Sequence, residues 1–193
     1  MPSIIDDVLT IIFWTITYLF IVYAGFRSRS IKQVSMPYIA GILNIAWEIC
    51  ALFWISGFWG YILWLSIDFF IVYFSVRFLD SKIKKIAYIA SVVFFTVFYF
   101  IIFDKFEKGF AYSVYIIDLI MAVCYLIDRK KLSPIFKIPI AITKLLGDFF
   151  AGFVFKHYTF TVVIAVIVFV CNVIYLFLCI KEKVTCQKTK HTG

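Results

Sequence analysis

Seven long apolar runs follow one another along this chain, at residues 8–26, 37–56, 59–78, 86–103, 110–127, 135–156 and 159–180. Each is close to the roughly 20 residues that a helix needs to cross about 30 Å of hydrocarbon. A helix of that length satisfies its own backbone polar groups where no water can. The alternating pattern of a membrane β-barrel is absent from these runs. At 64% hydrophobic residues and a mean hydropathy of +1.02, the chain lies far from the roughly half-apolar composition of a soluble domain. The expected fold class is therefore all-α, a polytopic membrane protein built as a seven-helix bundle. Residues 1–180 form one domain in this reading, and the basic tail at 181–193 has a polar composition that predicts disorder.

Basic residues crowd alternate loops, which sets an expected orientation. Arg27, Arg29 and Lys32 follow the first run, Arg77, Lys82, Lys84 and Lys85 the third, and Arg129, Lys130, Lys131 and Lys137 the fifth. Lys181, Lys183, Lys188 and Lys190 lie in the tail, whereas the opposite loops hold Lys105, Lys108 and Lys156. An outside amino terminus and a cytosolic carboxyl terminus follow. Asp6 and Asp7 stand where a cleaved leader would carry basic residues, so the first run is expected to remain as a span. The net charge of +8 is spread over loops that would abut anionic lipid headgroups, which makes membrane lipids the expected partner and not nucleic acid.

Against this apolar background four acids stand alone, each inside a different run: Glu48, Asp68, Asp118 and Asp148. The other acids, Asp6, Asp7, Asp80, Asp104, Glu107, Asp128 and Glu182, fall between or beyond the runs, within reach of water. An ionisable group inside the membrane is costly enough to mark a functional site by default. With alternating span directions, all four acids lie about 12 to 14 Å in from the outer ends of their helices, by helical rise. A shared layer of this kind lets them line one polar cavity. Asn44, Lys144 and Asn172 form a second layer about one turn deeper. Asn44 and Glu48 are four residues apart, as are Lys144 and Asp148, so each pair shares a helix face. Lys144 and Asp148 can neutralise one another in part. Glu48 and Asp68 lack a basic neighbour at helical spacing, so either suits the role of a neutral acid that donates a proton, or of a polar contact joining helices.

Aromatic residues make up 21% of the chain and are dense at Trp47, Phe53, Trp54, Phe58, Trp59, Tyr61 and Trp64. Much of this density matches an interfacial aromatic belt. Trp47 differs because it adjoins Glu48 well inside the second run, where a ring face can stabilise a cation without quenching it. The five cysteines, Cys50, Cys124, Cys171, Cys179 and Cys186, show no metal-ligand or redox spacing. The histidines, His157 and His191, are in a loop and the tail. Neither a phosphate-binding glycine loop nor a nucleophile elbow is present, which leaves hydrolase and metal-site readings without support.

The run Asn44-Ile45-Ala46-Trp47-Glu48, followed by Trp64-Leu65-Ser66-Ile67-Asp68, resembles the small seven-span integral membrane terpene cyclases of fungal indole-diterpene and meroterpenoid biosynthesis and their bacterial relatives. In that family an N-x-x-W-E pattern on the second span supplies an essential acid. The resemblance implies metal-independent, non-hydrolytic cyclisation of a prenyl chain, begun by protonating a terminal epoxide or alkene. No cofactor is expected, and the substrate would be a lipophilic prenylated molecule entering from the bilayer. The resemblance also implies a bacterial plasma membrane or its equivalent as the location. Glu48 is the leading general acid in this reading, with Asp68 as its partner. Asn44, Trp47, Trp64, Asp118, Lys144 and Asp148 are expected to line the substrate, together with Asn172 and Tyr175. The family's last span carries an acid in a pattern similar to D-x-x-Y, whereas the corresponding run here is Asn172-Val173-Ile174-Tyr175. Asparagine cannot deliver a proton, so Asp68, Asp118 or Asp148 would take that part.

Two other classes fit the same residues. Intramembrane acids serve as proton relays in transporters, and the sixth run, with Pro134, Pro139, Gly147 and Gly152, comes nearest to the broken helix that many transporters use. In a non-catalytic assembly or immunity protein the acids would be helix contacts. A retinal protein is disfavoured because Lys144, the intramembrane lysine, lies in the sixth run and not in the last.

Overall fold

In the computed structural model the described residues are 4–28, 32–54, 59–106, 108–154 and 159–191. Arg29, Phe58, Glu107, Lys156 and His157 lie outside them. Seven helices follow in chain order: α1 Ile4–Arg27, α2 Tyr38–Trp54, α3 Trp59–Phe78, α4 Lys82–Lys105, α5 Gly109–Asp128, α6 Lys137–Val154 and α7 Thr159–His191. No strand occurs among the described residues. The all-α architecture is thus the one that the apolar runs require. The helical backbone of α7 continues past its apolar part into the basic tail.

Local chemistry explains where the helices begin. Ser81 caps α4, its Oγ accepting from the Lys84 amide at 3.2 Å. The turn from α4 to α5 needs Gly109, because a Cβ there would lie 2.4 Å from the Ile102 carbonyl oxygen. Ahead of α6, Phe136 takes a left-handed φ of 57° and turns the chain into the helix. Pro139 then falls in the first turn, where its missing N–H would have had no intrahelical partner. The sixth run is therefore one continuous helix among the described residues, and its prolines belong to its entry.

Six helices form a ring in which α3 packs on α1, α1 on α6, α6 on α7, α7 on α5, α5 on α4 and α4 lightly on α3. The second helix packs against α3, α4 and α5. From Ala40 to Ala51 nearly every side chain of α2 is buried. The bundle is apolar on its outside as well as in its core, and it buries charged groups. Phe94 is 64% exposed and Ile83 79%, while Glu48 and Lys144 are each 1% exposed. Apolar surface on this scale needs an apolar surrounding. By length and composition four segments can cross a membrane: Val8–Arg27, Lys82–Lys105, Gly109–Asp128 and Phe160–Thr185. The second helix is apolar but shorter, at 17 residues.

The loop after α1 and the loop after α5 meet at one end of the bundle. Ser28 and Ser133 share a hydrogen bond of 2.6 Å, and the Ser133 amide donates to the Val34 carbonyl at 2.8 Å. Glu182 of α7 joins the same end by accepting from Arg129 at 3.0 Å and from Lys137 at 2.9 Å. Three of the segments assigned by charge to one side of the membrane are thereby brought together.

Candidate functional site

The interior polar groups form two clusters. The first joins α1, α2 and α3. Asn44 and Glu48 are one turn apart on α2, and the Asn44 Nδ2 donates to Glu48 Oε1 at 3.2 Å and to Asp68 Oδ2 at 2.6 Å. One amide therefore bridges two carboxyl groups from different helices. From α1 the Tyr18 hydroxyl lies 3.2 Å from Glu48 Oε1 and 3.1 Å from Asn44 Oδ1. Tyr18, Asn44, Glu48 and Asp68 are all buried. Among the described residues, neither acid has a lysine or arginine at ion-pair distance.

The second cluster joins α6 and α7. Lys144 and Asp148 form a buried ion pair. Asn172 braces it, donating to Asp148 Oδ2 at 2.6 Å and accepting from Lys144 Nζ at 3.2 Å. The ammonium lies 5.2 Å from the ring centre of Trp14 and 5.9 Å from that of Tyr125, close enough for cation–π attraction. Asp118 of α5 is 8% exposed and within electrostatic reach of Asp148 and Lys144.

In three of the acids the two carboxyl oxygens have unequal surroundings. Glu48 Oε1, Asp68 Oδ2 and Asp148 Oδ2 accept the hydrogen bonds, whereas Glu48 Oε2, Asp68 Oδ1 and Asp148 Oδ1 are enclosed with no N–H or hydroxyl donor, and the Glu48 and Asp68 carboxyls lie close enough to share a hydrogen bond through a proton on either. An unmet buried acceptor costs about 1–3 kcal/mol, and a group that carries such a cost calls for an explanation. The interior also holds more acid than base. Its buried charged residues among those described are Glu48, Asp68, Asp118, Asp148 and Lys144. Ionising every carboxyl would strand negative charge in a medium that penalises it heavily. No group of three or more His, Cys, Asp or Glu side chains among the described residues is arranged to hold a metal ion.

The expected site residues separate by location. Glu48, Asp68 and Asn44 meet in one network, and Lys144, Asp148 and Asn172 in the other. Tyr175 is 1% exposed, with its ring 5.3 Å from that of Tyr125 beside the second network. Trp64 donates to Thr15 Oγ1 at 2.9 Å, and its ring meets Tyr18 edge-on at 6.4 Å, so it borders the first. Trp47 points elsewhere. Its indole donates to Ser113 Oγ at 2.9 Å, and its ring packs 4.9 Å from Phe110 and 6.3 Å from Phe103. Sequence neighbours on a helix are about 100° apart, so adjacency to Glu48 does not give Trp47 the same direction.

Tyr18, Trp14 and Tyr125 belong to the interior but carry no obvious motif. A phenol or indole placed well inside an apolar run is the available signal, because its polar tip needs a buried partner. Trp14 and Tyr18 are one turn apart on α1, with ring centres 5.4 Å apart.

Compared with family models, curated proteins and solved structures, the chain matches none.

Proposed function

We propose that this chain is a multi-pass membrane enzyme, a terpene cyclase that starts ring formation by protonating the terminal epoxide or alkene of a prenyl chain. The observation that carries the reading is the enclosed pair of Glu48 and Asp68, bridged by Asn44 and within hydrogen-bond reach of one another. Tyr18 and Asn44 hold Glu48 through Oε1 and leave Oε2 as the oxygen for a transferable proton. In the proposed step the Oε2–H bond breaks and the proton joins the epoxide oxygen. The epoxide C–O bond opens as the neighbouring alkene supplies its π electrons. The carboxylate left on Glu48 is stabilised by the hydrogen bonds it accepts from Asn44 and Tyr18. Tyr18 and Trp64, which border this pair, provide ring faces suited to cationic carbon.

The apolar exterior supports entry of a lipophilic prenylated substrate from the bilayer. The loop charges support an outside amino terminus and a cytosolic carboxyl terminus. We assign the chain to a bacterial plasma membrane or its equivalent on the resemblance alone. The full chain in liposomes should convert the terminal epoxide of a farnesylated phenol into cyclic isomers, and Glu48→Gln should lower the rate by roughly 100-fold or more. Unchanged product formation by Glu48→Gln sinks the mechanism.

A second reading, proton-coupled transport, draws on the buried acids Glu48, Asp68, Asp118 and Asp148, since intramembrane acids serve as proton relays. The continuous α6 counts against a broken-helix site of the kind many transporters use. Uptake into proteoliposomes driven by a pH gradient, and abolished by Glu48→Gln, would favour this reading over cyclisation.

A further inference from the structure

The initiating step leaves the second cluster unused. Asp148 is 5% exposed, and its Oδ2 is occupied by Lys144 and Asn172. Its Oδ1 is enclosed and has no partner. Lys144 is 1% exposed and already satisfied by Asp148, by Asn172 and by the faces of Trp14 and Tyr125. The reactive atom left in this cluster is thus a carboxylate oxygen. Stability is a weak reason for such a pair, since well-packed apolar residues often hold a core as well as a buried ion pair does.

We propose that Asp148 is the base that ends the reaction begun at Glu48 and Asp68. The proposal rests on the cyclisation reading and deepens it. Oδ1 removes a proton from the carbon next to the last cationic centre. The C–H bonding pair becomes the new alkene, the cation is discharged, and Asp148 becomes a neutral carboxyl. One proton enters the substrate and one leaves, so the product is an isomer of the substrate. Turnover then returns the proton to the first cluster. An acid pair without a cation and a carboxylate with one are two environments suited to opposite proton-transfer roles.

The test uses the full chain in liposomes with the terminal epoxide of a farnesylated phenol. Asp148→Asn is compared with the double variant Lys144→Met, Asp148→Asn, which removes both charges together and so separates chemistry from folding. Both should consume the epoxide at a reduced but measurable rate. The alkene-terminated product should fall roughly 100-fold, with alcohols from water capture in its place. Asp148→Glu, which keeps a carboxylate, should restore part of the alkene product. If the double variant gives the wild-type product distribution, the assignment of Asp148 is overturned while cyclisation stands. Loss of all consumption in a double variant that still melts like wild type also overturns it, because Asp148 would then act at initiation. No consumption by the wild type overturns cyclisation itself, and this proposal with it.

Discussion

The two interior clusters share their parts and differ in charge. On α2 and α3 an asparagine bridges Glu48 and Asp68 with no ammonium in contact, whereas on α6 and α7 an asparagine braces Asp148 against Lys144. In both, one amide donates at 2.6 Å to an aspartate oxygen from a neighbouring helix. The difference lies in what holds the negative charge. A bridged acid pair without a cation needs a proton to be stable in an apolar interior, and an ion pair does not. One arrangement suits proton delivery and the other proton acceptance.

The sharpest way to break this comparison is to remove one partner from each cluster. Asp148→Asn alone leaves Lys144 buried without its counter-charge and should destabilise the protein by about 3–5 kcal/mol in denaturant titrations in detergent. The double variant with Lys144→Met should recover most of that loss. Equal stability of the single and double variants would show that Lys144 does not depend on Asp148 as its counter-charge. Glu48→Gln keeps an oxygen to accept from Tyr18 and Asn44, so its stability cost should stay below about 1.5 kcal/mol even though activity is lost.

Smaller changes sharpen the same contrast. Gly147→Ala would place a Cβ 3.0 Å from Trp14, the ring lying over Lys144. Overpacking there should cost about 1–3 kcal/mol, and substitution at the first cluster would leave this contact untouched. Tyr18→Phe removes one donor from the first cluster and should cost about 1 kcal/mol, read as a shift in melting temperature, with a slower initiating step. At the surface, Lys84 donates to Asp80 at 3.1 Å, and this hydrogen bond, followed by the lysine's charge, holds the exposed Asp80 carboxyl below its ordinary range. The sign follows from linkage: the pair adds stability above the unfolded carboxyl's pKa and loses it as pH falls through the lower folded value. Because both side chains face solvent, Asp80→Asn should leave the melting temperature nearly unchanged across that interval.

Much of the fold was legible because hydropathy and helix length are local properties. The third run, 59–78, coincides with α3, and the ends of α2, α5 and α6 fall within two residues of their runs. The acids were legible for the same reason, since a carboxyl in an apolar run stands out against its neighbours. Helical spacing also paired Asn44 with Glu48 and Lys144 with Asp148. The contacts between helices were not legible. Nothing local brings Tyr18 to Glu48 across 30 residues, and aromatic residues common in a membrane belt hide those that turn inward. Trp47 shows the converse, being adjacent to Glu48 in sequence yet engaged with Ser113 and Phe110. Asn172 reads in sequence as an acid replaced by an amide, but its position shows what the amide does: it holds the carboxylate of the next helix.

The central claim is that the first cluster holds a transferable proton while the second holds an ion pair. Infrared difference spectra of the full chain in lipid at neutral pH, wild type minus variant, test it directly. The account predicts that Glu48→Gln or Asp68→Asn removes a protonated-carboxyl C=O stretch, and that the Lys144→Met, Asp148→Asn double variant removes carboxylate bands instead. Loss of carboxylate bands from Glu48→Gln and Asp68→Asn, with no protonated-carboxyl band in the wild type, would contradict it.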